Sequence, residues 1–510
     1  MTTGLSFTLT GGETDTGALP LGRLTQGFVA LVVIAVFVMQ MSQPLTADVS
    51  WLITEAERML SGQRLYVDIL ELNPPMCALL YMPSVWLGQL LNIAPEGPVV
   101  VSVLALALGA IWAGDKILSR GRLLDNRNNW WSISALAFIL LPGAAFAQRE
   151  HFALLAVIPI LTALAVRAQG ETPALWQRLV AGVGGGLSMA IKPHFALAIL
   201  MPAIYAAAKT RSWRPILGLE NVVAGIVVLG FWATVAVVFP QFFTNTLPLA
   251  TEVYAGDRID LLLLLTQRLA WPFWGFVLVL LVLYRGQVLN TYLVPLLVGA
   301  SGFFLAYLAE GKGFSYHLMP AFVLVVEVFL LAFATRNTGA PGWQRALPLF
   351  VALLLTGLPV LLTLPNNANQ AAMVALLRPF GPGLKIANIT PQLETISPLE
   401  RQIGATLVNS APFPWMALGA IRIENASIDP ARIAKAKLIE AHDRDVLRND
   451  MLRSPPDIIL SGADAFDWLG WAAADPAIAQ LLTGYEVIGQ VGKDSDMVTV
   501  RKRRGLIARS

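Results

Sequence analysis

Five carboxylates, Asp48, Glu55, Glu57, Asp68 and Glu71, follow the first apolar run of the chain and are closed off by Asn73-Pro74-Pro75. A carboxylate held partly out of water is raised toward the pKa range of a general base. A solvated charge at a helix end, or a helix N-cap, also places an acid at a position like 48. The length of this acidic segment, and Trp51 and Tyr66 within it, argue for a structured loop. Asp48 to Ser50, Trp51, Ala56, Met59 and Leu60 read as an amphipathic surface helix that starts at Asp48 and ends near Gly62.

The complementary charge comes later. Gln148-Arg149-Glu150-His151 joins two apolar runs, and Lys192-Pro193-His194 interrupts another. A cation in such a turn is costly unless it is paired or faces an anion, although interfacial snorkelling of Arg149 is the simpler reading. Lysine binds phosphate as a point charge, which makes phosphate the anion Lys192 would meet. The segment from Glu310 to His317 carries Lys312, Tyr316 and His317, suited to a phosphate or a sugar hydroxyl or to an ordinary turn. Tyr254, Asp257, Arg258 and Asp260 read as an interfacial loop. There is no HExxH, CxxC pair, GxSxG or Walker loop, and Gly182 to Gly186 read as helix packing.

The elements that must position these residues are membrane helices. Hydrophobic residues make up 56% of the 510 and charged residues 14%, against about a quarter in a soluble domain. A net charge of +3, with the basic residues in short loops, gives no reason to expect a nucleic-acid partner. The single cysteine, Cys77, excludes an internal disulfide framework. The first apolar run has no cleavage site after it and reads as a retained helix. Runs of about 20 apolar residues fall near 27–45, 98–117, 130–147, 152–167, 177–191, 194–208, 215–239, 272–286, 290–308, 317–335 and 346–364.

The run 74–92 is the ambiguous one. The basic clusters at 116–128, 167–178 and 209–214, then Arg285, Arg336 and Arg345, all fall inside only if 74–92 does not cross. It therefore reads as a juxtamembrane or re-entrant helix, leaving about eleven spans. The acidic loop, the three polar turns and three of the four histidines then share the outer face. After residue 365 the pattern becomes mixed: strands at 384–389, 457–460, 485–491 and 497–501, and helices at 398–409 and 431–449. The expected organisation is a transmembrane unit, 1–364, with an outer loop and juxtamembrane helices at 48–92, and an extracytoplasmic α/β domain, 365–510.

This layout resembles the GT-C fold of integral-membrane glycosyltransferases that use polyprenyl-phosphate sugars, the superfamily of protein mannosyltransferases and the lipid A aminoarabinose transferase. The resemblance rests on an acid after the first span (Asp48), a helix ending at Gly62, Tyr66-Val67-Asp68, and Asn73-Pro74-Pro75 opening a juxtamembrane helix. Arg149 with Glu150, the Lys192-Pro193 turn and Tyr316-His317 add to it. Asn73 departs from the Lys or His that the family places before the prolines.

The resemblance implies one inverting displacement at the sugar's anomeric carbon, with Asp48 as general base. It implies that Arg149, Lys192, Lys312 and His317 bind the donor phosphate, and that Asp68, Glu71, Asn73, Glu150, His151, His194 and Tyr316 bind sugar or acceptor. The implied partners are a polyprenyl-phosphate sugar, the lipid bilayer and a cell-envelope glycan, lipid or protein. The implied location is the inner (plasma) membrane, multi-pass, with site and C-terminal domain periplasmic. Some family members use a divalent cation, and the acids here would permit one. A transporter would instead place charges at mid-membrane or show broken helices and inverted repeats. A lipid-linked glycan ligase or polymerase, and a noncatalytic subunit, are the other readings.

Overall fold

The computed structural model describes residues 21–254, 256, 258–267, 269–283, 292–336, 368–462 and 466–508. The expected span 346–364, together with Asp257, Arg285 and Arg345, lies outside them.

The chain starts with α1 (Arg23–Met41) and then α2 (Ala47–Leu60), which carries the first acids. The run after Pro74 forms α3 (Met76–Leu79) and α4 (Met82–Leu91), of 4 and 10 residues. Ten residues rise about 15 Å, half of a bilayer core. Next come α5 (Glu96–Arg120), α6 (Arg127–Ala135), α7 (Arg149–Arg167), α8 (Leu175–Ile191), α9 (Leu197–Thr210) and α10 (Leu219–Val238). The short α11 (Leu247–Val253) and α12 (Leu261–Leu265) lead to α13 (Ala270–Leu283), α14 (Leu293–Glu310) and α15 (Ser315–Arg336).

By length and apolarity, 6 of the described helices can cross a membrane: α1, α5, α7, α10, α14 and α15. Of the eleven expected spans, 346–364 and the end of 272–286 lie outside the described residues, and others form helices that are shorter or interrupted. α6 passes into a wide turn at Leu136–Leu140 and stops at Pro142-Gly143. α8 is 17 residues and stops at Lys192, ahead of Pro193, and α9 is 14. Proline lacks the N–H that would continue the helix.

α7 is the centre of the bundle. It packs against α5, α8, α9, α14 and α15, and its apolar stretch is wholly buried. Small residues allow that approach. A Cβ on Gly182 or Gly186 would sit 2.5 Å from Val223 or Val227 of α10. The glycine run is thus a packing stripe between α8 and α10.

The bundle has two chemically distinct ends. At one, Arg167 donates to Glu220 at 2.8 Å, Arg178 approaches the same carboxylate at 3.5 Å, and Arg127 donates to Asp115 at 2.7 Å. The helices joined there, α7, α8 and α10, carry their other ends to Arg149, Lys192 and residue 238.

The C-terminal residues build α16 (Ala368–Leu377), β1 (Lys385–Ile389), α17 (Leu393–Ile396), α18 (Leu399–Gln402), β2 (Thr406–Leu407), α19 (Trp415–Ala426) and α20 (Pro430–Arg453). They continue through β3 (Ile458–Gly462), α21 (Trp468–Ala473), α22 (Pro476–Leu482), β4 (Tyr485–Val491) and β5 (Val498–Arg503). The sheet order is β2-β1-β3-β5-β4, with β1 parallel to β2 and β3, and β5 antiparallel to β3 and β4. The helix expected over 398–409 is only α18. Gly404 takes a left-handed φ of 65°, and Thr406-Leu407 then pair with β1.

The first loop and this layer share one apolar core. Trp51, Leu65, Tyr66 and Ile69 pack with Met373, Leu377, Ile386, Leu399 and Leu460. Polar bonds fix the register: Leu70 N donates to Ser410 O, Trp415 Nε1 to Leu70 O, and Arg401 to Glu57 and Glu96 at 2.6 Å each.

Candidate active site

The first loop becomes a site through helical spacing. Asp48 lies in the first turn of α2, where the helix dipole favours an anion. Trp51, Leu52 and Glu55 follow at one and two turns on the same face. Asp48, Trp51 and Leu52 line a cavity of about 350 Å³ beneath the C-terminal layer. Glu55 lies behind them, fully buried. Burial pushes the Asp48 carboxyl up, against the lowering charge of Arg149, and the Glu150 charge raises it further.

Glu71 and Asn73 form the opposite wall. Glu71 accepts from Trp51 Nε1 at 2.8 Å and from the Asn73 backbone N–H at 2.8 Å and its amide at 2.5 Å. Burial alone would raise Glu71, but the bonds from Trp51 and Asn73 and the Arg149 charge help hold it below the usual carboxylate range. Glu55 takes the other half of the pair. Burial, and then the nearby charge of Glu71, push it well up. Asn73 in turn accepts through Oδ1 from Arg149 Nη1. The departure at position 73 is therefore an amide bridge between an anion and a cation.

Arg149 is placed by a strained turn. Ala147 takes a φ of 62°, costly for a residue with a Cβ. Its N–H donates to His151 Nδ1 at 3.2 Å, and its carbonyl accepts from Tyr81 Oη at 2.6 Å. With Nδ1 accepting, Nε2 donates to Phe138 O at 2.8 Å. α7 then starts at Arg149, whose Nη2 stands 3.9 Å from Asp48 Oδ1. Its Nε is buried without a hydrogen-bond partner among the described residues. Gln148 Nε2 donates to Thr46 Oγ1 at 3.0 Å and lies 3.4 Å from Asp48 Oδ2.

Lys192 sits where α8 ends. Its ammonium contacts Glu150 at 2.7 Å and also Glu310, the last residue of α14. His317 Nε2 lies 3.2 Å from Glu310 and 3.7 Å from Glu150, and His194 lies 3.6 Å from Glu310. Lys192 is thus a hub between two carboxylates at the cavity floor, whereas Arg149 keeps an unused donor among the described residues.

The structure brings Asp48, Glu71, Asn73, Arg149, Lys192, Tyr316 and His317 to one cavity. Glu150 lies beneath it, and His194 stands at the edge of the same charge cluster. Three expected residues point elsewhere. Lys312 donates to Tyr254 O, and its ammonium lies 3.7 Å above the Tyr254 ring. Asp68 pairs with Arg64 on the exposed rim of the loop. His151 holds the Ala147 turn.

Sequence reasoning missed Gln148, Tyr254, Gln392, Glu394 and Arg422 as cavity residues. The last three come from the C-terminal layer, hundreds of residues away, where no local pattern marks them. Among the described residues, no group of three or more His, Cys, Asp or Glu is arranged to hold a metal ion.

No protein-family model matches the chain, and no curated protein matches it in sequence. Solved structures do. ArnT from Cupriavidus metallidurans, bound to undecaprenyl phosphate, aligns over 96% of this chain and 99% of its own at 13% identity, with a TM-score of 0.54. Arabinofuranosyltransferase AftD from Mycobacteria aligns over 95% of this chain and 42% of its own (13% identity, TM-score 0.44). The Archaeoglobus fulgidus oligosaccharyltransferase aligns over 91% and 73% (11% identity, TM-score 0.42). With its acid-bearing first loop clamped between a helical bundle and a C-terminal sheet, and a layout that follows ArnT from end to end, this membrane protein has the GT-C fold.

Proposed function

We propose that this protein transfers a sugar from a polyprenyl-phosphate donor to an acceptor hydroxyl, with Asp48 as general base. The observation that carries this reading is the juxtaposition of a base and an anion site: Asp48, raised by burial, 3.9 Å from an arginine whose buried Nε has no hydrogen-bond partner among the described residues. Support comes also from the overall likeness to a structure that holds undecaprenyl phosphate.

The step balances as a single displacement. The acceptor O–H proton passes to Asp48 and the acceptor oxygen bonds to the anomeric carbon. The bond from that carbon to the phosphate oxygen breaks, with inversion. The departing polyprenyl phosphate gains a negative charge, which preorganised donors stabilise in a site with little water. Arg149 is the donor for that charge, and Asn73 fixes its orientation. Lys192 contributes its field while its hydrogen bonds go to Glu150 and Glu310.

In this reading the transmembrane unit is 1–364 and the extracytoplasmic α/β domain 365–510. The protein is a multi-pass inner-membrane enzyme, with the site on the periplasmic side. A transporter is disfavoured by the collection of these charges at one end of the bundle.

The test is purified full-length protein offered a panel of polyprenyl-phosphate sugars and envelope acceptors, wild type beside Asp48→Asn. Transfer by the wild type and its loss in the variant are expected. Full activity in a folded Asp48→Asn protein would sink the mechanism.

A further inference from the structure

A second cavity, of about 460 Å³, meets the first at Asp48. It lies between the start of α2, residues 144–148 and the C-terminal layer, and shares Asp48, Tyr316, Gln392 and Glu394 with the first. Asp48 therefore stands at the boundary of two compartments.

Their chemistry divides by charge. Among the described residues, every lysine and arginine lining either compartment, Arg149, Lys192 and Arg422, belongs to the first. The second has amides and hydroxyls, among them Thr46, Gln148, Ser315, Asn369 and Gln370, and carboxylates at Asp48, Glu394 and Asp496. One of these groups is conspicuously incomplete. Gln148 is 2% exposed and its amide nitrogen is used by Thr46 and Asp48. Its Oε1 is buried and accepts no hydrogen bond among the described residues. A buried acceptor left this way is costly, and a donor that reached it on a small shift of the side chain would recover that cost.

We infer that this second cavity is the acceptor site, and that its ligand is an uncharged polyhydroxylated one, a glycan hydroxyl. The assignment rests on the glycosyltransferase reading above. A phosphorylated acceptor would bring its anion against three carboxylates with no lining cation among the described residues. Sugar hydroxyls both donate and accept, and so match amides and hydroxyls in either direction. The volume falls in the range of about 300–1,000 Å³ typical of small-ligand sites, more than one serine or threonine side chain fills. Gln148 and Asp48 both line this cavity, with the Gln148 amide nitrogen 3.4 Å from Asp48 Oδ2, so a hydroxyl drawn to this wall stands beside the base.

The experiment separates this assignment from the donor reading. Purified full-length protein is titrated with undecaprenyl phosphate by tryptophan fluorescence. In parallel, saturation-transfer NMR follows a panel of neutral disaccharides (cellobiose, mannobiose, galactobiose), glucose 6-phosphate and a serine- and threonine-rich peptide. At least one neutral disaccharide should bind more tightly than glucose 6-phosphate. Asn369→Lys, at an exposed position of the cavity wall, should weaken that binding by roughly tenfold, as loss of about one polar contact does, and leave undecaprenyl phosphate affinity unchanged. Arg149→Ala should do the reverse. Tighter binding of glucose 6-phosphate, binding of the peptide alone, or no disaccharide binding by protein that binds undecaprenyl phosphate overturns the acceptor assignment. Disaccharide binding without undecaprenyl phosphate binding overturns the donor reading, and protein that binds neither probe overturns both.

Discussion

Asp48 Oδ1 and Arg149 Nη2 stand 3.9 Å apart, facing each other without closing into a hydrogen bond. Arg149 is instead anchored by its other amino group to Asn73, and Asp48 by Gln148. Each charge is held by a neutral amide and left available toward the cavity. A tight pair would have lowered the acid and consumed the cation's donors. At this separation the two keep opposite charge nearby while remaining free to act on different atoms of a substrate.

The first consequence is a pH profile. Asp48 acts as base only when ionised, and burial raises its pKa above the ordinary value of about 3.9. Transfer should therefore fall on the acid side at a pH above that of a solvent-exposed aspartate. Asp48→Asn should lower kcat by about 10²–10⁴-fold and remove that limb, while undecaprenyl phosphate binding persists. A variant that keeps the acid limb places the titrating base elsewhere.

The Asn73 bridge predicts a split between binding and turnover. Asn73→Ala frees Arg149 to swing toward Asp48 and leaves Glu71 with one donor fewer. KM for the lipid-linked donor should rise and kcat fall together, by about 1.5–3 kcal/mol in kcat/KM for a lost charged hydrogen bond. Asn73→Gln, which keeps the amide on a longer stem, should recover part of the loss. Equal kinetics in both variants would rule the bridge out.

His151 gives the third prediction. Its ring ties Ala147 N to Phe138 O from within the bundle, well behind the cavity wall. His151→Ala should reduce kcat through the misplaced turn before Arg149 and lower the melting temperature, with the cost of two buried polar groups left unpaired, about 1–3 kcal/mol each. His151→Asn should restore the melting temperature in part. A direct sugar contact would instead show as a change in substrate affinity with stability intact.

The elements that were legible in the sequence were those with a local cause. Apolar runs marked α5, α7, α10, α14 and α15, and Asp48, Arg149 and Lys192 stood out as charges where charge is costly. What the sequence hid depends on neighbours. Lys192 reads as a free cation until α14 brings Glu310 against it, 118 residues later. Asp68 and Lys312 look like site residues in a string of letters. In the fold one turns to Arg64 at the loop rim and the other to the Tyr254 carbonyl. Gln392 and Glu394 carry no signal at all, since only the docking of the sheet on α2 brings them to the cavity.

Lys192 gives the fourth prediction. Its ammonium is the charge that makes two buried carboxylates tolerable. Removing one partner of a buried ion pair costs about 3–5 kcal/mol, so Lys192→Ala should lose transfer largely because the end of the bundle loosens. A second change should reveal this. Lys192→Met with Glu150→Gln should regain thermal stability while transfer stays low. If Lys192→Ala loses transfer at an unchanged melting temperature, the lysine acts on substrate directly.

The docking of the C-terminal layer should itself respond to pH through Glu400. This residue in α18 is buried against α2, accepts from Thr54 Oγ1 at 3.2 Å, and neighbours Arg401, which pairs with Glu57 and Glu96. Burial, opposed by the Glu400 backbone bond and the Arg401 charge, lifts its pKa to about 7. The folded state thus binds the proton more tightly than the unfolded chain, whose glutamate titrates near 4.3. The stabilisation is complete at pH values below about 4.3 and is lost as pH rises through 7. Wild-type melting temperature should accordingly fall between about pH 5 and 8 relative to Glu400→Gln, whose amide stays neutral throughout. The difference between the two proteins should be small at the acid end and grow toward pH 8, where the variant is the more stable by a few degrees. Limited proteolysis of the 368–402 segment should follow the same trend, faster in the wild type at high pH. Parallel melting curves across that range would show that Glu400 titrates alike in both states and that the docking does not respond to pH through it.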